Sequence, residues 1–226
     1  MKPYYESEVP PIKVMGIKPF ETYEWLERKH YAHRIPNICH AFGLYDKELI
    51  GVVTYGIPAN KSLNIIAGVP GIELNRLCIN DDSPKNSASM LVGRSLQLLQ
   101  SPLCVISYAD INQNHVGYIY QATNFIYTGL SSEEGKWFVN GKEMHRKNIF
   151  NTWGTSSEEV IRGKVKELVI IKQQAKHRYL YFIGSKKEKK VWLNNLTWPI
   201  LPYPKGDTSR YNADHEPQTQ SVFDFT

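Results

Sequence analysis

Leu103-Cys104-Val105-Ile106-Ser107-Tyr108, followed at once by Ala109-Asp110, is the stretch on which the fold turns. A short apolar run set between Pro102 and a polar loop reads as a strand buried on both faces, and such a strand needs helices above and below it. Immediately upstream, residues 86–99 carry Met90, Leu91, Arg94 and Leu98 at helical spacing, with Pro102 beyond the end. Before that helix, Gly71-Ile72-Glu73-Leu74-Asn75-Arg76-Leu77-Cys78-Ile79 alternates and then breaks step, which predicts a strand bulged near Asn75-Arg76. Two further strands, 38–45 and 49–55, form an antiparallel hairpin through Asp46-Lys47-Glu48, and a helix runs from Pro19 to about His30.

Downstream, the polar loop Asn112-Gln113-Asn114-His115 opens a second helix of about ten residues reaching Asn124, and 125–130 is again strand-like. A strand near Trp137-Phe138-Val139, a hairpin turn at Asn140-Gly141, a helix after Thr155 with Glu158 completing a capping box, and a strand over 178–183 complete the reading. The fold class is α/β, a mixed central sheet flanked by helices, with a basic C-terminal extension. One domain is expected over 10–200, made of a core over 20–135 and the extension over 136–200, with a polar, flexible tail over 201–226.

At 226 residues the chain can bury a sizeable core. No apolar stretch suits a signal peptide or a membrane span, and two of the three cysteines, Cys78 and Cys104, sit in apolar segments as small core residues, so a reducing, cytoplasmic setting is expected. The net charge of +5 conceals an asymmetry: residues 136–210 hold 16 basic against 6 acidic side chains. The charge gathers at His145-Arg146-Lys147, Lys176-His177-Arg178 and Lys186-Lys187-Glu188-Lys189-Lys190, with Tyr179, Tyr181, Phe182, Trp192, Trp198 and Tyr203 interleaved. A lysine run can be a solvated helix face, but a basic groove with aromatic platforms suits nucleic acid. The nucleic-acid-binding candidates are Arg146, Lys147, Lys176, Arg178, Lys187 and Lys190.

Ligands of open α/β sheets sit beyond the carboxyl ends of central strands, which is where Asp110 falls, although an N-cap or Asx turn would also use an aspartate there. Arg76 lies in an apolar strand and needs an anionic partner, for which Asp110 or a phosphate would serve. Glu73, three residues away, falls on the opposite face unless the bulge turns the two together. His30, His33, Cys39 and His40 lie close in sequence without a CxxC or HxxxH frame, so a closed zinc site is not supported and the metal is left unknown. The motifs of serine hydrolases, P-loop NTPases, dinucleotide enzymes and methyltransferases are absent.

Glu73-Leu74-Asn75-Arg76-Leu77, Ser107-Tyr108-Ala109-Asp110, the run His115-Val116-Gly117-Tyr118-Ile119-Tyr120-Gln121-Ala122-Thr123-Asn124-Phe125 and Tyr127-Thr128-Gly129 together resemble the phage Mom family of DNA adenine modification proteins. The resemblance implies a GNAT-like acyltransferase fold and conversion of adenine to N6-carbamoylmethyladenine in phage DNA, shielding it from host restriction. It implies double-stranded DNA with a flipped adenine as one partner and a small-molecule donor, acetyl-CoA or another acyl or carbamoylmethyl donor, as the other. Carried over by motif, the catalytic residues are His30, Tyr31, Arg76, Asp110 and Tyr120. The substrate- or cofactor-binding candidates are Ser87, Ser89, Ser95, Tyr108, His115, Gln121 and Asn124. One departure stands out: where GNAT enzymes carry a glycine-rich phosphate loop ahead of this helix, the chain reads Ser83-Pro84-Lys85-Asn86-Ser87-Ala88-Ser89. Two rival readings are a CoA-dependent N-acetyltransferase of a small amine or protein, told apart by an acetyl mass shift, and a non-catalytic DNA-binding protein, told apart by unmodified nucleosides.

Overall fold

Side-chain alternation and turn chemistry set the first strands of the computed structural model, which describes residues 12–111, 115–132, 134–144 and 146–206. After β1 (Lys13–Gly16) come β2 (His40–Asp46) and β3 (Glu48–Gly56), joined by the expected tight turn, in which Lys47 takes a left-handed φ of 63°. A short β4 (Ile65–Ile66) leads to the long β5 (Val69–Ile79). Helix α1 (Ser87–Leu98) and strand β6 (Leu103–Ala109) follow, then α2 (Tyr118–Ala122) and β7 (Ile126–Leu130). Next are β8 (Glu134–Val139), β9 (Lys142–Met144), α3 (Arg146–Trp153), α4 (Glu158–Arg162) and β10 (Leu168–Gln173). The last elements are β11 (His177–Ile183) and α5 (Lys186–Asn194).

The chain forms two compact units: Leu130–Lys176, and the described residues on either side of it. The larger unit holds a mixed sheet in the order β1-β2-β3-β5-β6-β11-β7, with β4 paired to β5. Within it β5 and β6 run parallel, while β6 pairs antiparallel with β11. Cys104, Val105, Ile106 and Ser107 are fully enclosed, as expected for a central strand covered on both faces. On one face α1 buries Leu91, Val92 and Leu96 against Val53, Tyr55, Leu74, Val105 and Phe125. Each such aliphatic side chain removed from water contributes roughly 1.5–3 kcal/mol. The other face is covered at one end by Trp192 of α5 packed on Cys104, Ile106, Leu180 and Phe182, and at the other by Trp25 and Leu26 over Val52 and Cys78. This is the expected α/β layering.

Several expectations change. Residues 177–183 are not part of an extension but an interior strand, because Tyr179, Leu180 and Phe182 bury on both faces of the sheet. Helix α2 is five residues long rather than about ten, bracketed by left-handed Gly117 (φ 78°) and Asn124 (φ 61°); residues 112–114 lie outside the described residues. The helix expected from Pro19 to His30 splits into a tight turn, Pro19–Thr22, and a wide turn, Trp25–Lys29. The His30 N–H closes the wide turn on the Trp25 carbonyl at 3.0 Å, one residue beyond an α-helical bond. Residues 201–204 do not stray from the fold: the Leu201 N–H bonds the Tyr127 carbonyl at 3.0 Å and the Tyr203 hydroxyl bonds the Phe125 carbonyl at 2.7 Å.

The smaller unit has a three-stranded sheet in the order β10-β8-β9. Asn140 (φ 50°) and Gly141 (φ 74°) form the expected hairpin turn, whose two left-handed positions suit Asn-Gly. Trp137, Val139 and Leu168 bury one sheet face against Ile149 of α3 and Ile161 of α4. The capping box assigned to Thr155 and Glu158 is not made; Ser157 occupies the N-cap of α4, and the Thr155 hydroxyl accepts from the Ser157 N–H at 3.1 Å. No helix among the described residues is long and apolar enough to cross a membrane.

Candidate functional site

The parallel ladder between β5 and β6 is short. Gly71, Ile72 and Glu73 pair with Cys104, Val105 and Ile106, after which β5 continues against β3 and β6 against β11. The two strands fork at that point. Across the fork the Ser107 hydroxyl donates to the Leu74 carbonyl at 2.9 Å, standing in for a ladder bond at a fully buried position.

The expected bulge lies on the other edge of β5. Thr54 of β3 faces Arg76, the next residue Tyr55 faces Leu74, and Asn75 is the extra residue. Its side chain is tied down twice, accepting from the Thr54 hydroxyl at 2.6 Å and donating to the Asn37 carbonyl at 2.9 Å. The bulge alters the parity of the strand. Arg76 and Glu73 sit opposite Thr54 and Gly56, which are two residues apart, so both point to the same face instead of opposite ones.

Arg76 donates through Nη1 to the Asn75 carbonyl at 2.6 Å, while its buried Nε–H has no hydrogen-bond acceptor among the described residues. Burial is the main influence lowering its pKa; Tyr31 and Glu73 oppose that and Arg34 adds to it, so all three lie within electrostatic reach. An arginine remains protonated under such perturbation. The site thus contains a cation with a donor to spare.

His30 is buried beside it, its ring stacked on Tyr31 with centroids 4.4 Å apart. Desolvation, reinforced by Arg76, His33 and His115, pushes its pKa down to about 3. Nδ1 accepts the Ala32 N–H at 3.1 Å, so the neutral ring carries its proton on Nε2. The neutral ring offers its Nε2–H as a hydrogen-bond donor. The wide turn explains the placement, since its extra residue brings His30 inward after Trp25 and Leu26 have filled the core.

Tyr120 approaches the same place from α2, its ring 5.3 Å from those of Phe125 and Tyr179. Ser107 lies close enough to its hydroxyl to act on its titration. Desolvation raises its pKa to about 12; Ser107 opposes the rise, and Tyr31, Glu73 and Tyr179 reinforce it. The phenol is protonated at neutral pH and so retains an O–H to donate. Asp110 stands just past β6; its carbonyl accepts the His115 N–H at 3.2 Å, and its charge raises a His115 pKa that burial lowers. Electrostatic reach thus links His30, Tyr31, Glu73, Arg76 and Tyr120 around the fork, with Asp110 joined to them through His115.

The remaining candidates part company with this cluster. Ser95 is fully enclosed, bonded to the Tyr55 hydroxyl at 2.6 Å and the Val92 carbonyl at 2.9 Å, and presents nothing to a ligand. The Ser87 and Ser89 hydroxyls turn back onto the Pro84 and Asn86 carbonyls at 2.7 and 3.0 Å. Asn86 there has a left-handed φ of 69°. The loop at the head of α1 holds no glycine, and with both hydroxyls engaged neither serine side chain is available to a phosphate there. A groove of about 340 Å³ does run between α1 and α2, past Asn86, Ser89, Met90, Gly93, Thr123 and Asn124, but shares no lining residue with the His30 cluster. The Gln121 amide nitrogen is spent on the Val116 and Pro204 carbonyls and the Tyr179 hydroxyl, at 3.1–3.2 Å. Tyr108 is half-buried and acts electrostatically on Arg178.

Among the basic candidates, Arg178 is held internally: Nε and Nη2 donate to Thr128 at 2.9 and 2.8 Å, and the guanidinium lies 4.0 Å from the Trp198 ring centroid. Tyr179, Phe182 and Trp192 belong to the core, which removes them as stacking platforms. Lys187 and Lys190 are exposed on α5, whose start is fixed by a capping box between Ser185 and Glu188. Arg146 and Lys147 are exposed at the start of α3, and Lys176 is half-buried at the end of the smaller unit. No cluster of His, Cys, Asp or Glu among the described residues could hold a metal ion. Ser107, quoted within a motif but not singled out as a site residue by the sequence, joins the two strands at the fork; its long-range bond to the Leu74 carbonyl is what the sequence does not display.

Comparison with known proteins yields three findings. The sequence profile of the Mom protein family matches residues 11–205. The methylcarbamoylase Mom of Escherichia phage Mu is 27% identical over 197 residues, 80% of each chain. Among solved structures, a putative acetyltransferase of Acinetobacter baylyi (11% identical, TM-score 0.47) spans 78% of this chain and 95% of its own, and Arabidopsis thaliana NAA60 with a bisubstrate analogue (14%, TM-score 0.44) spans 76% and 98%.

Proposed function

The chain belongs to the Mom protein family, and from that premise we propose that it is a DNA-modifying transferase that converts adenine to N6-carbamoylmethyladenine in phage DNA, protecting it from host restriction. The observation that supports this reading best is the gathering of His30, Tyr31, Arg76 and Tyr120 at one strand fork, next to the Asp110 loop.

The adenine N6 amine is a poor nucleophile buried in a paired stack, so the base is flipped out and stacks on Tyr31 or Tyr108. The N6 lone pair forms a bond to the methylene carbon of the donor, and the bond from that carbon to the leaving group breaks, its electron pair departing with the leaving group. Asp110 takes the proton from N6, and Tyr120 supplies one to the leaving group. Exchange with water resets both residues. Arg76 holds the polar end of the transferred unit, and His30 contributes its Nε2–H without changing charge. None of these steps depends on coenzyme A. Lys187 and Lys190 on α5, and Arg146 and Lys147 on α3, contact DNA phosphates.

Expression in bacteria followed by digestion of cellular DNA and mass spectrometry of the nucleosides tests this reading. A carbamoylmethyladenosine species is expected from the wild type, and Asp110→Asn and Tyr120→Phe are expected to lose it while remaining folded. Full modification by both variants would refute the assigned roles; an acetyl adduct on a small amine, with unmodified DNA, would replace the function.

A further inference from the structure

We infer that Glu73 and Arg76 form a subsite that reads a primary carboxamide, the terminal group of the unit transferred to adenine; this rests on the function proposed above. A primary carboxamide has two faces for recognition, a carbonyl oxygen that accepts hydrogen bonds and an NH₂ that donates them. The fork offers the complement of each. The Arg76 Nε–H is buried and without an acceptor among the described residues, a costly arrangement that a carbonyl oxygen in the fork would satisfy. A second neutral donor, His30 Nε2–H, lies within electrostatic reach of that guanidinium. Glu73 supplies the carboxylate acceptor for the NH₂.

The bulge makes this pairing possible. In a regular strand residues 73 and 76 diverge to opposite faces; the extra residue Asn75, anchored by Thr54 and Asn37, returns them to one face. Glu73 also lies within electrostatic reach of the Tyr120 hydroxyl, so the carboxamide would sit next to the group that protonates the leaving group.

The same geometry selects against the nearest analogues. A carboxymethyl unit would set a second carboxylate against Glu73. An acetyl unit has no N–H to give Glu73, and sites built to bond a polar group reject analogues that lack it. Glu73 is therefore a specificity-determining residue of the transfer.

Two measurements test this. In the bacterial assay, Glu73→Gln should lower carbamoylmethyladenosine on the order of 10- to 100-fold, the loss expected for one hydrogen bond to a charged group. Its thermal melting should stay near that of the wild type. Wild-type levels of carbamoylmethyladenosine from this variant would overturn the subsite while leaving the proposed function standing. Independently of that variant's folding, ligand-observed NMR of the wild-type chain should detect glycinamide and not glycine. Equal binding of the two, or binding of neither, would also overturn it. Absence of any modified adenosine from the wild type alongside selective binding of glycinamide would remove the proposed function and retain the carboxamide subsite.

Discussion

Replacing His30 by Asn separates the charge state of this residue from its packing, because Asn keeps an acceptor for the Ala32 N–H while losing the titratable ring. The folded protein holds His30 at about 3 against an ordinary value of 6.5, and the side chain is only 7% exposed. Between these values the unfolded chain binds a proton that the folded chain refuses, so stability rises with pH across this window and falls as pH drops below 6.5 toward 3. Going from about pH 7.5 to about pH 5 should remove about 2 kcal/mol through this one residue. Urea unfolding of the wild type and of His30→Asn at those two conditions gives the comparison. The variant should lose about 2 kcal/mol less than the wild type on acidification, whatever its stability at the higher pH. Equal losses would mean that His30 is not held neutral by burial and Arg76, and its role as a fixed Nε2–H donor would fail with that.

Three other perturbations follow from the same geometry. Ser107→Ala leaves the Leu74 carbonyl buried without its donor, which should cost about 1–3 kcal/mol in chemical unfolding. It also removes the partner that restrains the Tyr120 pKa, so modification should fall further than stability; unchanged modification would show that Ser107 does not position the phenol. Gly56→Ala places a Cβ against the Asn37 carbonyl and 2.8 Å from the Asn75 amide nitrogen, so the bulge must shift. A lower melting temperature together with abolished modification is expected, and a fully active variant would detach the bulge from the site. Charge reversal at Lys187 and Lys190 should leave melting unaltered, because α5 is capped by Ser185 and Glu188, while the salt slope of DNA binding drops by roughly 1 for each phosphate no longer neutralised. An unchanged slope would place the DNA elsewhere.

Much of this arrangement is legible in the sequence because it depends on local rules. The buried run ending at Asp110 locates the central strand, Asn140-Gly141 locates a hairpin, and a break in alternation locates the bulge at Asn75. The consequence of that bulge, Glu73 and Arg76 on one face, can be stated only as a condition, since parity depends on which residue is extra. Hydrogen bonding over long sequence distances escapes altogether. Arg178 reads as a phosphate ligand because its partners Thr128 and Trp198 are remote in the chain, and Ser95 reads as a ligand-binding residue because its bond to Tyr55 crosses forty residues. The wide turn before His30 is invisible for another reason: Trp25-Leu26-Glu27-Arg28-Lys29 has the composition of an ordinary helix, and only the packing of Trp25 and Leu26 on Val52 and Cys78 stretches it.

The place of β11 bears on how the chain can be built, in evolution and at the ribosome. It lies between β6 and β7, so the strand that completes the sheet is synthesised only after the whole smaller unit, and until then β6 and β7 lack the neighbour they share. The two ends of the smaller unit are already clasped, with the Ser131 N–H on the Lys176 carbonyl at 2.8 Å and the Lys176 N–H on the Ser131 hydroxyl at 3.0 Å. Residues 130–176 thus have the form of a cassette inserted where a tight hairpin between two adjacent strands would have sufficed. Such a position lets the cassette be exchanged or enlarged without breaking a strand of the larger sheet.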